Sequence, residues 1–182
     1  MEQIIHLYTI NECGKKCPLC CNNLYDINNI PVVTVDELIH ADTICITGGD
    51  PFIYNDLYKF IQKLRMQYTN IKNVYVYTSG TALLHYLNVN YDKTLNIDGI
   101  SIAPKDKTDW NNLKTIITNE TYNKIISSMK SNRLMIFDSQ KDNFNHIMNH
   151  VNLDMFNIMG RKWYETFNTP SNEIFRRLPI LF

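Results

Sequence analysis

Cys13-Gly14-Lys15-Lys16-Cys17-Pro18-Leu19-Cys20 is the stretch on which the reading of this chain turns. It follows an apolar run, Ile4 to Ile10. Three thiols in one short loop can wrap a single soft metal centre. Three is one fewer than the four that close a structural zinc site or saturate a cubane iron–sulfur cluster. A cluster held this way keeps one iron free for a substrate or cofactor. The rival reading of the same spacing is a zinc knuckle whose fourth ligand is His6 or Cys21. Cys21 otherwise reads as a bystander that points away from a shared centre, and Cys45 as a small core residue.

Outward from this loop, short β-rich runs alternate with helical patterns, which predicts an α/β fold with parallel strands. The strands are expected at Gln3 to Ile10, Thr43 to Thr47, Asn73 to Thr78, Gly99 to Ala103, Arg133 to Phe137 and Met155 to Met159. Between them, Asn22 to Val33 looks irregular, and Thr34 with Glu37 makes a capping box for a short helix. The longest helix opens at Tyr54 or Asn55 and runs to about Tyr68, with Leu57, Phe60, Ile61 and Leu64 on one face. Thr81 to Leu87 is a helical turn or two, Asp109 to Lys130 one or two helices, and Asp142 to Val151 a further helix. Right-handed crossovers would curl six such units into a partial (β/α)6 barrel, open on one side. Functional groups are then expected at the C-terminal ends of the strands. The whole chain, 1–182, reads as one domain. Its tail from Trp163, with Phe167, Phe175, Leu178, Ile180 and Phe182, is expected to pack on the barrel.

Composition limits the function classes. Apolar residues make up 45% of the chain, enough for a real core. The formal net charge is zero, so no basic field argues for nucleic acid. No leader pattern and no membrane-length apolar run are present, which predicts a cytoplasmic protein. Five cysteines, three of them clustered, fit a reducing compartment and metal binding better than a disulfide framework.

Further motifs sit at the predicted strand ends. In Thr47-Gly48-Gly49-Asp50-Pro51, the glycine pair lets a backbone pass close to a ligand, and exposed carbonyls there can receive an ammonium group. A tight turn capped by Asp50 is the plain alternative. In Tyr77-Thr78-Ser79-Gly80-Thr81, hydroxyls could bond a cofactor or cap the next helix. In Gly99 to Lys105, period two places Gly99, Ser101, Ala103 and Lys105 on one small, polar face. Ser101 could contact a cofactor and Lys105 a carboxylate, although a lysine there is more often solvated. Asp138 and Arg161, just past the last two predicted strands, could reach the same end of the fold. The five histidines form no evident metal pair, and His6 shares a strand face with Tyr8.

Together, CxxxCxxC after the first strand, GGDP after the second and TSG after the third resemble the radical S-adenosylmethionine family. The resemblance implies a [4Fe-4S] cluster on Cys13, Cys17 and Cys20. It implies that Gly48, Gly49 and Asp50 hold the methionine moiety of S-adenosylmethionine, and that Thr78, Ser79, Ser101 and Lys105 are further polar contacts. It also implies an external one-electron donor of the flavodoxin or ferredoxin type. In place of the aromatic residue usual before the third cysteine stands Leu19, which leaves apolar contact with adenine but no stacking. The Cys-Pro-Leu-Cys-Cys-Asn-Asn loop and Ile-Thr-Gly-Gly-Asp-Pro-Phe resemble activating proteins that install a glycyl radical on anaerobic ribonucleotide reductase. Thr-Ser-Gly-Thr and Ala-Pro-Lys resemble segments of 7-carboxy-7-deazaguanine synthase instead.

Overall fold

The computed structural model describes residues 3–18, 20–90, 95–163 and 169–182. Seven strands form one wholly parallel sheet: β1 (Ile4–Ile10), β2 (Thr43–Gly48), β3 (Asn73–Thr78), β4 (Gly99–Ile102), β5 (Asn132–Phe137), β6 (Phe156–Arg161) and β7 (Glu173–Arg177). Their order is β6-β5-β4-β3-β2-β1-β7, so β6 and β7 are the edges. Six helices, α1 (Val35–His40), α2 (Leu57–Gln67), α3 (Thr81–Asn90), α4 (Lys107–Thr118), α5 (Glu120–Ser127) and α6 (Lys141–Ile147), connect them. From β1 to β6 each strand lies beside its predecessor. With crossovers of one hand, that places all the connecting helices on one face.

Residue alternation follows this one-sided cover. Ile5, Leu7, Ile44, Ile46, Val74, Val76, Ile100, Ile102 and Leu134 point to the helices and are at most 1% exposed. They meet Leu57, Ile61, Leu83, Trp110, Leu113 and Ile116, all fully buried. Each such side chain contributes roughly 1.5–3 kcal/mol by leaving water. The other sheet face carries His6, Cys45, Tyr75, Tyr77 and Arg133. Residues of β1, β3, β5 and β7 line a single cavity there. On a flat sheet β7 and β5 would lie roughly 24 Å apart at the ordinary strand spacing. The sheet is therefore concave on this polar face.

Local signals behave as the sequence suggests. Thr34 and Glu37 form a complete capping box on α1. Asp106 caps α4 and Asn119 caps α5 through their side chains, so the Asp109 to Lys130 stretch is two helices. The helix expected from Tyr54 or Asn55 starts at Leu57, because Pro51–Ile53 forms a separate 3-10 turn. The strand expected at Met155 to Met159 is Phe156–Arg161.

The largest difference lies in the tail. It supplies a seventh strand, where six were expected. Glu173–Arg177 pairs in parallel with β1, from Ile4↔Glu173 to Tyr8↔Arg177. All five of its residues are half-buried, so it shows no in–out alternation to read. Its hold is polar: Arg176 grips the Glu37 carboxylate at 2.6 and 2.7 Å, and the Leu178 and Phe182 amides donate to Tyr8 and Thr9 carbonyls. Phe182 stacks on Tyr54, whereas Ile180 is exposed. Phe167 lies outside the described residues.

Burial alone would lift the Glu37 carboxyl, but the hydrogen bonds from Arg176 and the Thr34 amide outweigh it and hold the group below its ordinary range. Glu37→Ala removes a helix cap and the β7 clamp together. It should cost about 1–3 kcal/mol in urea denaturation and speed amide exchange in β7 more than in β3.

Candidate active site

The cysteine loop leaves β1 at Ile10 and lies against the turn after β2. The Gly49 amide donates to the Ile10 carbonyl at 2.7 Å and the Asp50 amide to the Glu12 carbonyl at 3.0 Å. A Cβ on Gly48 would stand 2.2 Å from the Ile10 oxygen, and one on Gly49 1.8 Å from the Glu12 oxygen. Gly48 also has φ +134°, where only glycine is at ease. The glycine pair therefore admits the chain's own backbone. The Gly48 carbonyl accepts a hydrogen bond from Asn22 Nδ2 at 2.9 Å, which ties the far end of the cysteine loop to the same turn.

Asp50 is 1% exposed and acts as a staple between β2 and β3. One oxygen accepts from Thr78 Oγ1 at 2.7 Å, the Ser79 amide at 3.1 Å and Ser79 Oγ at 3.3 Å. The other accepts from the Phe52 amide and caps the 3-10 turn. Thr78, Ser79 and Asp50 thus bind one another. Burial pushes the Asp50 carboxyl up to about 6 despite these donors.

Lys15 anchors the middle of the loop. Its ammonium donates to Asp106 at 2.9 Å and to the fully buried Asp109 at 2.6 Å. Asp109 also accepts from Thr81 Oγ1 and the Lys105 amide. This cluster, like Asn22, carried no recognised pattern in the sequence. Its one trace was the Asp106-Lys-Thr-Asp109 spacing of a helix start.

Between these anchors sit the thiols. Cys13, Cys17 and Cys20 are half-buried and free of disulfides. Burial pushes Cys13 up to about 11, with the charge of Asp50 adding to it, and burial raises Cys17 as well. Cys20 moves the other way, to about 6: the Cys21 thiol donates to it, burial opposes, and the Asn22 and Asn23 amides and the Lys105 charge assist. Cys21 thus lies against Cys20 rather than turned from it. Cys13 feels the charges of Cys17 and Cys20, and Cys17 that of Cys20. Among the described residues no three His, Cys, Asp or Glu side chains are gathered at metal-ligand spacing. The donor set itself suits a thiophilic centre: three half-buried thiols on one anchored loop, one of them already favoured as thiolate. Leu19 lies outside the described residues.

Lys105 is no solvated surface lysine. Its Nζ lies 3.8 Å from the centre of the Phe137 ring and 6.0 Å from that of Trp163. Its ammonium has no hydrogen bond or carboxylate partner among the described residues. Burial lowers its pKa, opposed by the nearby Cys21, Cys17 and Cys20 sulfurs. It borders a cavity of about 190 Å³ together with Cys17, Pro18, Phe137, Ser139 and Gln140. Ser101 is on the concave face, in register between Tyr77 and Arg133.

Asp138 pairs with Lys141 on the surface at 2.8 Å. Arg161 is the last residue of β6, near the Phe137 ring, rather than past the strand. His6 sits in the first half of β1, on Glu173, away from the thiols.

No family model matches this chain, and no curated protein matches it. Among solved structures, a family 18 chitinase from Crocus vernus is similar at 14% identity and a TM-score of 0.39, over 87% of this chain and 67% of that one. A likeness at that level carries no argument about fold or function. No helix among the described residues is long and apolar enough to cross a membrane.

Gly49→Ala should destabilise the chain by on the order of 3 kcal/mol, read by urea denaturation, because the obstacle is backbone rather than a yielding side chain. The raised Asp50 pKa makes a second prediction. Folding favours its protonated form. That contribution is complete below the unfolded value near 3.8 and is lost as pH rises through about 6. Relative to wild type, Asp50→Asn should therefore gain about 3 kcal/mol of stability between pH 4 and pH 7. A difference that stays constant with pH would contradict the assignment.

Proposed function

We propose that this chain is a radical S-adenosylmethionine enzyme, folded as a partial (β/α)6 barrel with β7 added at the β1 edge. Cys13, Cys17 and Cys20 would hold a [4Fe-4S] cluster at the C-terminal ends of the strands. The observation that carries the proposal is the contrast within one loop. Its backbone is fixed by Gly48, Gly49, Asn22 and Lys15, while its three thiols form no disulfide. When bound, the cluster and S-adenosylmethionine supply one-electron chemistry that removes hydrogen from a substrate.

The chain's own residues bind and position. Asp50, locked by Thr78 and Ser79, keeps the β2 and β3 turns at a fixed separation beside the loop. Thr78 and Ser79 act through Asp50 and not as free cofactor contacts. Lys105, beside the thiols and with no counter-ion for its ammonium among the described residues, is the group best suited to receive a carboxylate. Phe137 and Pro18 beside it exclude water from that contact.

For the substrate, two readings each have one supporting observation. The β6 edge exposes Ile158 and Met159, at 44% and 42%, which suits cover by a large protein such as a glycyl-radical enzyme. The cavity beside the thiols, bordered by Cys17 and Lys105, suits a small molecule acted on as by 7-carboxy-7-deazaguanine synthase. An electron donor of the flavodoxin or ferredoxin type is required in either case.

Anaerobic loading with iron and sulfide should yield about four of each per chain, with broad absorption near ~400 nm. Replacing Cys13, Cys17 or Cys20 by Ala should abolish it, whereas Cys45→Ala should not. With reductant and S-adenosylmethionine, the loaded protein should release 5′-deoxyadenosine. A colourless zinc protein, or a cluster that survives Cys17→Ala, would overturn the proposal.

A further inference from the structure

The concave face carries a cavity of about 180 Å³ apart from the thiol loop, against the first halves of the strands. His6, Cys45, Tyr75, Tyr77, Arg133 and Glu173 line it. Most of its polar groups are already engaged. His6 Nε2 is 2.5 Å from the Glu173 carboxylate. Asn73, at its rim, donates to Thr43 and accepts from Lys130. The Tyr77 hydroxyl bonds the Cys45 thiol. Arg133 is the exception. Its guanidinium lies 5.6 Å from the centre of the Tyr75 ring, half-buried, with no hydrogen bond or ion pair among the described residues.

A guanidinium presents five N–H donors in a planar fork that matches a carboxylate. Left without an acceptor and screened from part of the solvent, it is a site that lacks its ligand's half. The carboxylate that shares the cavity, Glu173, is held by His6 and does not supply that half.

We propose that this cavity binds a small organic monocarboxylate bearing one flat ring, with the carboxylate on the Arg133 fork. Size sets the first limit. At about 180 Å³ the cavity has room for one ring and its carboxylate and not for a larger ring system. Shape sets the second. His6 and Tyr77 meet edge to face, with centres 5.7 Å apart, and Tyr75 lies beneath Arg133, so the walls are aromatic. Charge sets the third. Glu173 stands in the same cavity and repels a second negative charge, which selects a monoanion over a phosphate dianion.

The inference stands on the concave face alone and does not rest on the cluster. Its test accordingly uses the chain as isolated, without iron loading, so the two proposals fail separately. Benzoate, titrated by calorimetry, should bind with a Kd of about 1 mM or tighter, and neutral benzamide about tenfold more weakly or worse. Arg133→Gln should weaken benzoate at least about tenfold and leave benzamide unchanged. Arg133→Lys, which keeps the charge without the fork, should fall between and guards against a folding defect in the first variant. Melting temperatures within a few degrees of wild type qualify the comparison. Benzoate that binds no better than benzamide, or equally well to Arg133→Gln, overturns the proposal, as does no binding up to about 20 mM.

Discussion

The close approach of two backbones, Gly48-Gly49 against Ile10 to Glu12, is the constraint from which the rest of the strand-end architecture follows. No side chain fits between them, so the cysteine loop has one place to lie. With that leg fixed, Asn22 reaches back to the Gly48 carbonyl and Lys15 reaches across to Asp109. Three anchors, two at the end of β2 and one on α4, then position a loop whose own secondary structure is minimal. The loop gains its order from β2 and α4, not from local propensity.

Asp50 extends the same constraint sideways. A carboxylate accepting four donors while fully buried is costly in desolvation and strong in hydrogen bonding. Its benefit is geometric, since it fixes the ends of two neighbouring strands that otherwise share only ladder bonds. Thr78 and Ser79 are best understood as part of this staple. The strand ends are rigid where they face the thiols, and Lys105, whose ammonium has no hydrogen bond or ion pair among the described residues, comes from the loop after β4.

The strand–helix alternation was legible because burial is one-sided: β3 reads Asn-Val-Tyr-Val-Tyr-Thr, with both valines on the helices and both tyrosines on the concave face. The capping box of α1 was legible for the same local reason. Four things were not. β7 has five equally half-buried residues, so its pairing partner, far away in sequence, leaves no periodic trace. The role of the glycine pair was readable as close approach, but not what approaches. Lys105 looked like a surface lysine because nothing local says that Phe137 and Trp163 enclose it. Arg133 was hidden in the same way: a strand arginine is unremarkable until the sheet curls and brings β1, β5 and β7 around one space.

The position of β7 also bears on how the chain is made. During synthesis from the N-terminus, β1 finds β2 early, but its other edge stays bare until residues 173–177 emerge, after all the other strands of the sheet. A bare parallel edge invites wrong partners, and pairing over so long a separation is slow. The nascent chain thus carries its three clustered thiols beside an unfinished sheet until β7 is made. Cover of that edge until β7 arrives is what such a topology calls for.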